Sequence, residues 1–195
     1  MTTLYMYKVA YTKAMAPVVF DGNKMHKLLT QLVGTDRASS NLLYYLDLEY
    51  GVLFVQSDVP PMSTTGLTLL KTVSLQKIFN ILNGEHLMFR LTTDPRKKKD
   101  RKIVYITDPE ERIEWVKRRL SERGFDVEQI QEISSQDTTV NHYTEKGGKI
   151  SVSSRTFMIA GSVQDRDTFI KTWQQGLGWH KAYGNGLFVP MIGRN

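Results

Sequence analysis

The sequence predicts an α+β fold made of two similar units in tandem, and three observations carry the prediction. Strand-like and helix-like runs follow the order β-α-β-β-(α)-β in the first half, and a βαβ-type alternation returns in the second. A run dense in basic residues, Asp94 to Lys102, stands between the halves. The 195 residues are 41% hydrophobic and 24% charged, a balance that supports packed cores and excludes disordered or collagen-like chains. That length suits two domains of the ~100-residue size one core sustains, and the predicted division is 1–93 and 94–195.

Taking the elements in order, Tyr5 to Tyr11 alternates around Met6, Val9 and Ala10 and reads as a first strand. Beyond the turn Asp21-Gly22-Asn23, apolar residues fall at Met25, Leu28, Leu29, Leu32 and Val33, the spacing of an amphipathic helix, with Gly34 as its C-terminal cap. Strands Leu42 to Leu48 and Val52 to Gln56 follow, joined at Tyr50-Gly51. Pro60-Pro61 breaks the pattern, Met62 to Asn83 reads as a short helix or loop, and His86 to Thr92 closes the half as a strand. This is the split βαβ arrangement of ferredoxin-like folds.

The second half opens with the basic run and the strand Ile103 to Thr107. Asp108-Pro109-Glu110-Glu111 then starts a helix, with a capping Asp, Pro at the first position and acids in the first turn, and that helix runs to Gly124. The strand-like runs Thr138 to Tyr143 and Lys149 to Ser153 flank a turn at Glu145-Lys146-Gly147-Gly148. A strand Arg155 to Ala160, a helix Asp165 to Gln175 and a last strand Leu187 to Ile192 complete the unit.

Charge and composition narrow the function classes. Lys and Arg number 26 against 20 Asp and Glu, a net charge of +6 that suits a polyanionic partner. With no cysteine, disulfides, thiolate nucleophiles and cysteine-ligated zinc are excluded. The four histidines, His26, His86, His142 and His180, form no paired metal-ligand spacing, so no catalytic metal is expected. No segment approaches the ~20 apolar residues of a membrane span, and the start Met1-Thr2-Thr3-Leu4-Tyr5 lacks the form of a secretion signal, so the expectation is a cytoplasmic chain without a membrane partner.

Three constellations carry candidate chemistry. Glycines crowd Gly176 to Gly186, between a helix and a strand, the reverse of the order a dinucleotide loop needs, and Lys181 is followed by Ala where a phosphate-binding P-loop has Ser or Thr. What remains is a loop offering backbone amides, Lys181 and the Tyr183 ring to a phosphate backbone, against the plain alternative of a turn. On the helix after Asp108, Arg112, Arg119 and Arg123 fall on one face with Trp115 beside them, a row suited to RNA phosphates and a stacked base, whereas Glu114 and Arg118 are spaced for an ordinary ion pair. His26 falls in the first turn of the first helix, at the rim of its apolar face, where the positive end of the helix favours the neutral, base-competent ring and a nearby RNA phosphate opposes it. A lone histidine so placed is more often structural than catalytic.

Together these segments resemble the CasE family of CRISPR-associated endoribonucleases of type I-E systems. The resemblance is carried by Met25-His26 opening a helix after the first strand, by Val55-Gln56-Ser57 with Pro60 and Pro61 downstream, by Phe89-Arg90-Leu91 through Pro95-Arg96-Lys97, and by the loop Gly176-Leu177-Gly178 through Gly186-Leu187. It implies two ferredoxin-like domains, metal-independent and cofactor-independent cleavage of a CRISPR repeat hairpin on the 3′ side of its stem, and retention of the product with other Cascade subunits. The family's active-site histidine matches His26. Where the family commonly has a tyrosine this chain has Asn23, and Trp179-His180 replaces Pro and a small residue. A second proton-transfer or charge-stabilising group is therefore sought among Lys24, Lys27 and His180. RNA contacts are expected from Arg90, Arg96, Lys97, Lys98, Arg112, Arg119, Lys146, Lys149, Lys181 and Tyr183. Two rival readings stand beside this one: a tandem RRM-like module or Cascade-type subunit that holds RNA without cutting it, and a nucleotide-dependent regulator using the glycine loop.

Overall fold

A computed structural model describes residues 4–19, 21–34, 40–47, 50–62, 67–142 and 148–191, with the backbone alone at 16, 19, 77, 79, 136–142 and 148–151. The first sheet joins β1 (Tyr5–Tyr11), β2 (Leu43–Asp47), β3 (Val52–Ser57) and β4 (Leu67–Ser74) in the order β2-β3-β1-β4. The second joins β5 (His86–Thr93), β8 (Phe125–His142), β9 (Gly148–Val163) and β10 (Phe188–Pro190) in the order β10-β5-β9-β8. A separate hairpin pairs β6 (Arg96–Lys99) with β7 (Lys102–Tyr105). All pairings are antiparallel. Each four-stranded sheet places its fourth strand beside its first and its third next, the strand order of the split βαβ fold, so the α+β, tandem ferredoxin-like expectation holds.

The helices are α1 (Ala16–Val19), α2 (Gly22–Val33), α3 (Gln76–Phe79), α4 (Pro109–Ser121) and α5 (Arg166–Gln175). Asp21 caps α2, accepting from the amides of Asn23 at 3.0 Å and Lys24 at 3.1 Å, and Gly34 ends it in the left-handed conformation at φ 69°. Because Asp21 is the cap, α2 begins earlier than its apolar spacing alone indicates. Asp108 caps α4 by accepting from Glu111 N at 2.7 Å, and Asp165 caps α5 by accepting from Thr168 N at 3.1 Å.

Met25, Leu29, Leu32 and Val33 of α2 pack on Tyr7, Val9, Leu53 and Val55 of the first sheet. On the second sheet, Trp115, Val116 and Leu120 of α4 and Phe169 and Trp173 of α5 cover Phe89, Leu91, Phe157 and Ile159, and the same core takes in Leu4, Met6 and Leu43 of the first half. An aromatic cluster pins α5: the Phe125–Phe169, Trp173–Phe188 and Phe89–Trp173 centroids are 4.9, 5.0 and 5.6 Å apart. The core of the second unit thus reaches into the first half, beside a separate core under α2.

Four sequence expectations need correction. The strand at His86 opens the second sheet rather than closing the first, so the second sheet draws on residues placed on the first side of the 93/94 division. The first sheet is closed by β4, read from sequence as helix or loop. β4 is an edge strand exposed at Thr68, Leu69, Leu70, Lys71 and Thr72, so it carries no apolar alternation to read. The run Arg96 to Lys102 is a hairpin whose turn residues Asp100 and Arg101 adopt φ 49° and 64°. Finally, β8 and β9 are long strands of 18 and 16 residues, where sequence showed shorter pieces. Register shifts at Val127/Gln129 and Glu132/Ser134 break the period-two pattern of β8, which hid its first half. Tyr143 to Gly147, the predicted hairpin tip, and Ile192 lie outside the described residues.

Candidate functional site

The loop that follows α5 organises the site. The last turn of a helix leaves four carbonyls without helical partners, and here each is met. Thr172 O accepts from Gly176 N at 2.8 Å. The side-chain amide of Gln56, fully buried on β3, donates to Trp173 O at 3.3 Å and Gln174 O at 3.2 Å. The Lys181 ammonium donates to Gln175 O at 3.0 Å and Gly176 O at 3.4 Å, a cation at the negative end of the helix. Gln56 therefore ties the first sheet to the start of the loop, and Lys181 folds the loop back on itself. Gly178, at φ 94°, lies so close to Thr93 that a β-carbon there would strike the Thr93 hydroxyl.

The 3-10 turn Lys181–Tyr183 of this loop packs against α2, the helix that bears His26. His26 is half-buried. With Gly22 as the first helical residue it lies in the second turn, which corrects the first-turn placement and weakens the dipole argument, since that effect fades within the first turn. Lys24 is exposed and sits 3.7 Å from Asp21, and Lys27 is exposed. His180 is held more firmly. Its Nδ1 lies 2.6 Å from Oδ2 of Asp94, a fully buried carboxylate that also receives Arg96 Nε at 3.0 Å and Arg96 Nη2 at 3.0 Å.

Behind the loop, a cavity of about 240 Å³ separates it from the C-terminal turns of α4. Arg119 comes from α4, Arg123 from the turn just after it, and Lys181 and Trp179 from the loop; among the described residues no acidic one lines the cavity. Arg119 stacks over the Trp115 ring at 5.6 Å and pairs with Glu122 at 3.0 Å. Two of the sequence candidates, Arg119 and Lys181, are thereby brought together, and Arg123 joins them from the turn that follows α4. Trp179 was not singled out as a contact; its signal is the 43% exposure of a residue type that normally buries.

The other candidates are dispersed. Arg112 does not share the surface row: it is buried, donating to Glu132 Oε2 at 2.8 Å and Oε1 at 3.0 Å and to Thr107 O at 2.6 Å. The Glu132 hydrogen bonds hold its guanidinium above its ordinary pKa. Trp115 is 3% exposed and belongs to the core rather than to a stacking surface. Helical spacing put both in line with Arg119, but the long strand β8 covers that end of α4 and supplies Glu132. Arg96 is committed to Asp94, and Lys97 meets Glu111 at 2.6 Å, while Lys98 is exposed. Arg90 stands 3.7 Å from Asp47 across the two sheets, lining a separate cavity of about 390 Å³ with Tyr45, Thr92 and Ser134. Tyr183 lies with its ring 6.2 Å from that of His180. Lys146 is outside the described residues, and for Lys149 only the backbone, paired with Asn141, is described. Among the described residues no group of three or more His, Asp or Glu is placed to hold a metal, and no helix is long and apolar enough to cross a membrane.

Comparison with known proteins places this geometry in a wider set. A family described as CRISPR associated protein matches residues 5–189. A structure of Thermus thermophilus Cse3 bound to an RNA representing a pre-cleavage complex superposes with a TM-score of 0.83 at 22% identity, over 97% of this chain and 100% of that one. The CRISPR-associated protein Cas6e from Escherichia coli K-12 gives 0.73 at 25% identity, over 96% and 100%. A chain of a CRISPR RNA-guided surveillance complex in a pre-nicking state gives 0.72 at 17% identity, over 96% and 99%. No curated protein matches the sequence.

Proposed function

The chain belongs to the CRISPR associated protein family, and from that membership we propose that it is an endoribonuclease that cuts CRISPR repeat hairpins on the 3′ side of the stem and keeps the product. The observation that carries the reading is that one loop, residues 176–187, touches both α2 with its His26 and the basic cavity of Arg119, Arg123 and Lys181. A general base and a phosphate-holding surface are thus joined by a single segment. Folded RNA is gripped largely through its backbone, which suits such a surface.

The chemistry uses the RNA's own nucleophile. The ribose 2′-oxygen attacks the adjacent phosphorus, forming the P–O2′ bond as the P–O5′ bond breaks. One proton leaves the 2′-hydroxyl and one reaches the departing 5′-oxygen, so the products carry a 2′,3′-cyclic phosphate and a 5′-hydroxyl. Holding the 2′-oxygen in line supplies much of the acceleration, and no metal or cofactor is required by the balance. His26 serves at one of the two proton transfers. Of the candidates for the second role, His180 is favoured over Lys24 and Lys27. Asp94 holds its Nδ1 and so leaves Nε2 as the exchanging nitrogen, the arrangement by which a carboxylate fixes a histidine for acid–base work. The lysines are left to stabilise charge on the phosphorus oxygens.

The likeness to a chain of a surveillance complex supports other Cascade subunits as partners. The test is His26→Ala against a repeat stem-loop RNA. A nuclease loses cleavage and keeps affinity; a protein that only holds RNA shows no cleavage in either form, and that result would overturn the proposal.

A further inference from the structure

We propose that the cavity between α4 and the glycine-rich loop is a nucleotide subsite, in which the Trp179 indole stacks on an unpaired base while Arg119 and Arg123 hold the phosphate beside it. The inference rests on the reading of the chain as an RNA-binding protein and adds to it a ligand feature, an open base face at a defined place on the surface.

The tryptophans set the first observation. Trp115 and Trp173 are 3% and 1% exposed, whereas Trp179 is 43% exposed. Its position is not a consequence of slack chain. Leu177, two residues earlier, is buried and its amide donates to Gly186 O at 3.1 Å, and Gly178 is packed against Thr93. An indole is therefore presented to solvent from a firmly seated loop, which keeps the ordering cost of stacking low.

The second observation is the charge beside it. The cavity of about 240 Å³ has Arg119, Arg123 and Lys181 on its walls and no carboxylate among the described residues that line it. Glu122 pairs with Arg119 at 3.0 Å and with Arg118 at 3.9 Å, and its side chain is 47% exposed, so a phosphate at Arg119 competes with a solvent-screened ion pair. Lys181 spends its ammonium on the carbonyls that end α5 and adds its charge to the wall. A ring with three cations around it matches a nucleotide, base on the ring and phosphate on the guanidinium groups. The base must be unpaired, because a base inside a stem already has both faces stacked.

The experiment uses the full chain carrying His26→Ala, so that RNA stays whole, and two probes: the repeat stem-loop with its unpaired flanks, and the same stem-loop trimmed to a blunt end with its loop bases closed into a stable tetraloop. Binding is followed by anisotropy of labelled RNA and, separately, by intrinsic fluorescence, in which Trp179 is the accessible emitter. The flanked RNA should quench the emission, and Trp179→Leu should abolish the quench and weaken its binding by roughly 5- to 150-fold, the range of one base–aromatic stack. Trp179→Phe should restore most of the affinity, and binding of the trimmed RNA should be the same with and without the indole. Unchanged affinity in Trp179→Leu, or RNA that binds by anisotropy without quenching, overturns the subsite and leaves the RNA reading intact. Absence of any anisotropy change with either RNA overturns both.

Discussion

Arg112→Ala separates a structural cation from an RNA contact. Arg112 makes two bonds to the Glu132 carboxylate, at 2.8 and 3.0 Å, and one to Thr107 O at 2.6 Å, with its side chain 8% exposed and that of Glu132 19% exposed. Removing the guanidinium leaves Glu132 with Arg155 at 3.6 Å and strips Thr107 O of this donor. Breaking a buried ion pair costs about 3–5 kcal/mol. The remaining Arg155 partner and the partial exposure of Glu132 place this case at the lower end, about 3 kcal/mol. For a chain of this length that corresponds to a fall in Tm of roughly 6–12 °C. Urea or thermal unfolding measures the loss, and the salt dependence of RNA affinity, measured below the transition, should not change. A loss under about 1 kcal/mol together with a shallower salt slope would contradict the buried pairing, because Arg112 would then be facing RNA.

Other outcomes follow from the same geometry. Replacing both Arg119 and Arg123 with Ala should reduce the slope of log affinity against log salt by about 1.4–1.8, so that between about 50 and 200 mM salt the variant loses roughly tenfold less affinity than the parent; equal slopes would remove both cations from the interface. Gly178→Ala should cost about 2 kcal/mol or more by unfolding, since a side chain at its positive φ is strained by 1–2 kcal/mol and its β-carbon would strike the Thr93 hydroxyl; an unaltered midpoint contradicts the packing. The Thr168 hydroxyl and then the Thr168 amide hold the Asp165 carboxyl below its ordinary pKa. Its contribution to stability is therefore present above the ordinary aspartate range and lost as pH falls through the lower folded value. Asp165→Asn should flatten that acid limb of the stability profile, and an identical limb in both proteins would exclude the cap as its source.

Much of the fold was legible because each unit announces its helices. Asp108 stands as a cap followed by Pro109 and two acids, and α2 shows its stripe from Met25 to Val33, whereas the capping by Asp21 and Asp165 came only with the structure. Strands were legible where buried apolar residues fill a short segment, as in β1 and β3. They were lost where β4 is an exposed edge and where the bulges of β8 move its apolar residues off alternation. At the site, spacing along one helix can line up Arg112, Arg119 and Arg123 but carries no information about Glu132 arriving from β8 to claim the first of them. The Asp94–His180 contact and the Gln56 bonds to α5 join residues far apart in sequence, so no local pattern encodes them. The loop's glycines were visible, and what they permit was not: a close approach to Thr93 that seats Trp179 and His180.

In the proposed reaction the RNA's own 2′-oxygen is the nucleophile and the α2 histidine moves a proton for it. The most direct measurement incubates the protein in EDTA with its repeat stem-loop, in parallel with the same RNA carrying a single 2′-deoxy nucleotide 5′ to the cut, and identifies the product ends by mass. The first RNA should yield a 2′,3′-cyclic phosphate and a 5′-hydroxyl, and the second should stay uncut. Cleavage of the deoxy-substituted RNA, or cleavage that stops in EDTA, would contradict it.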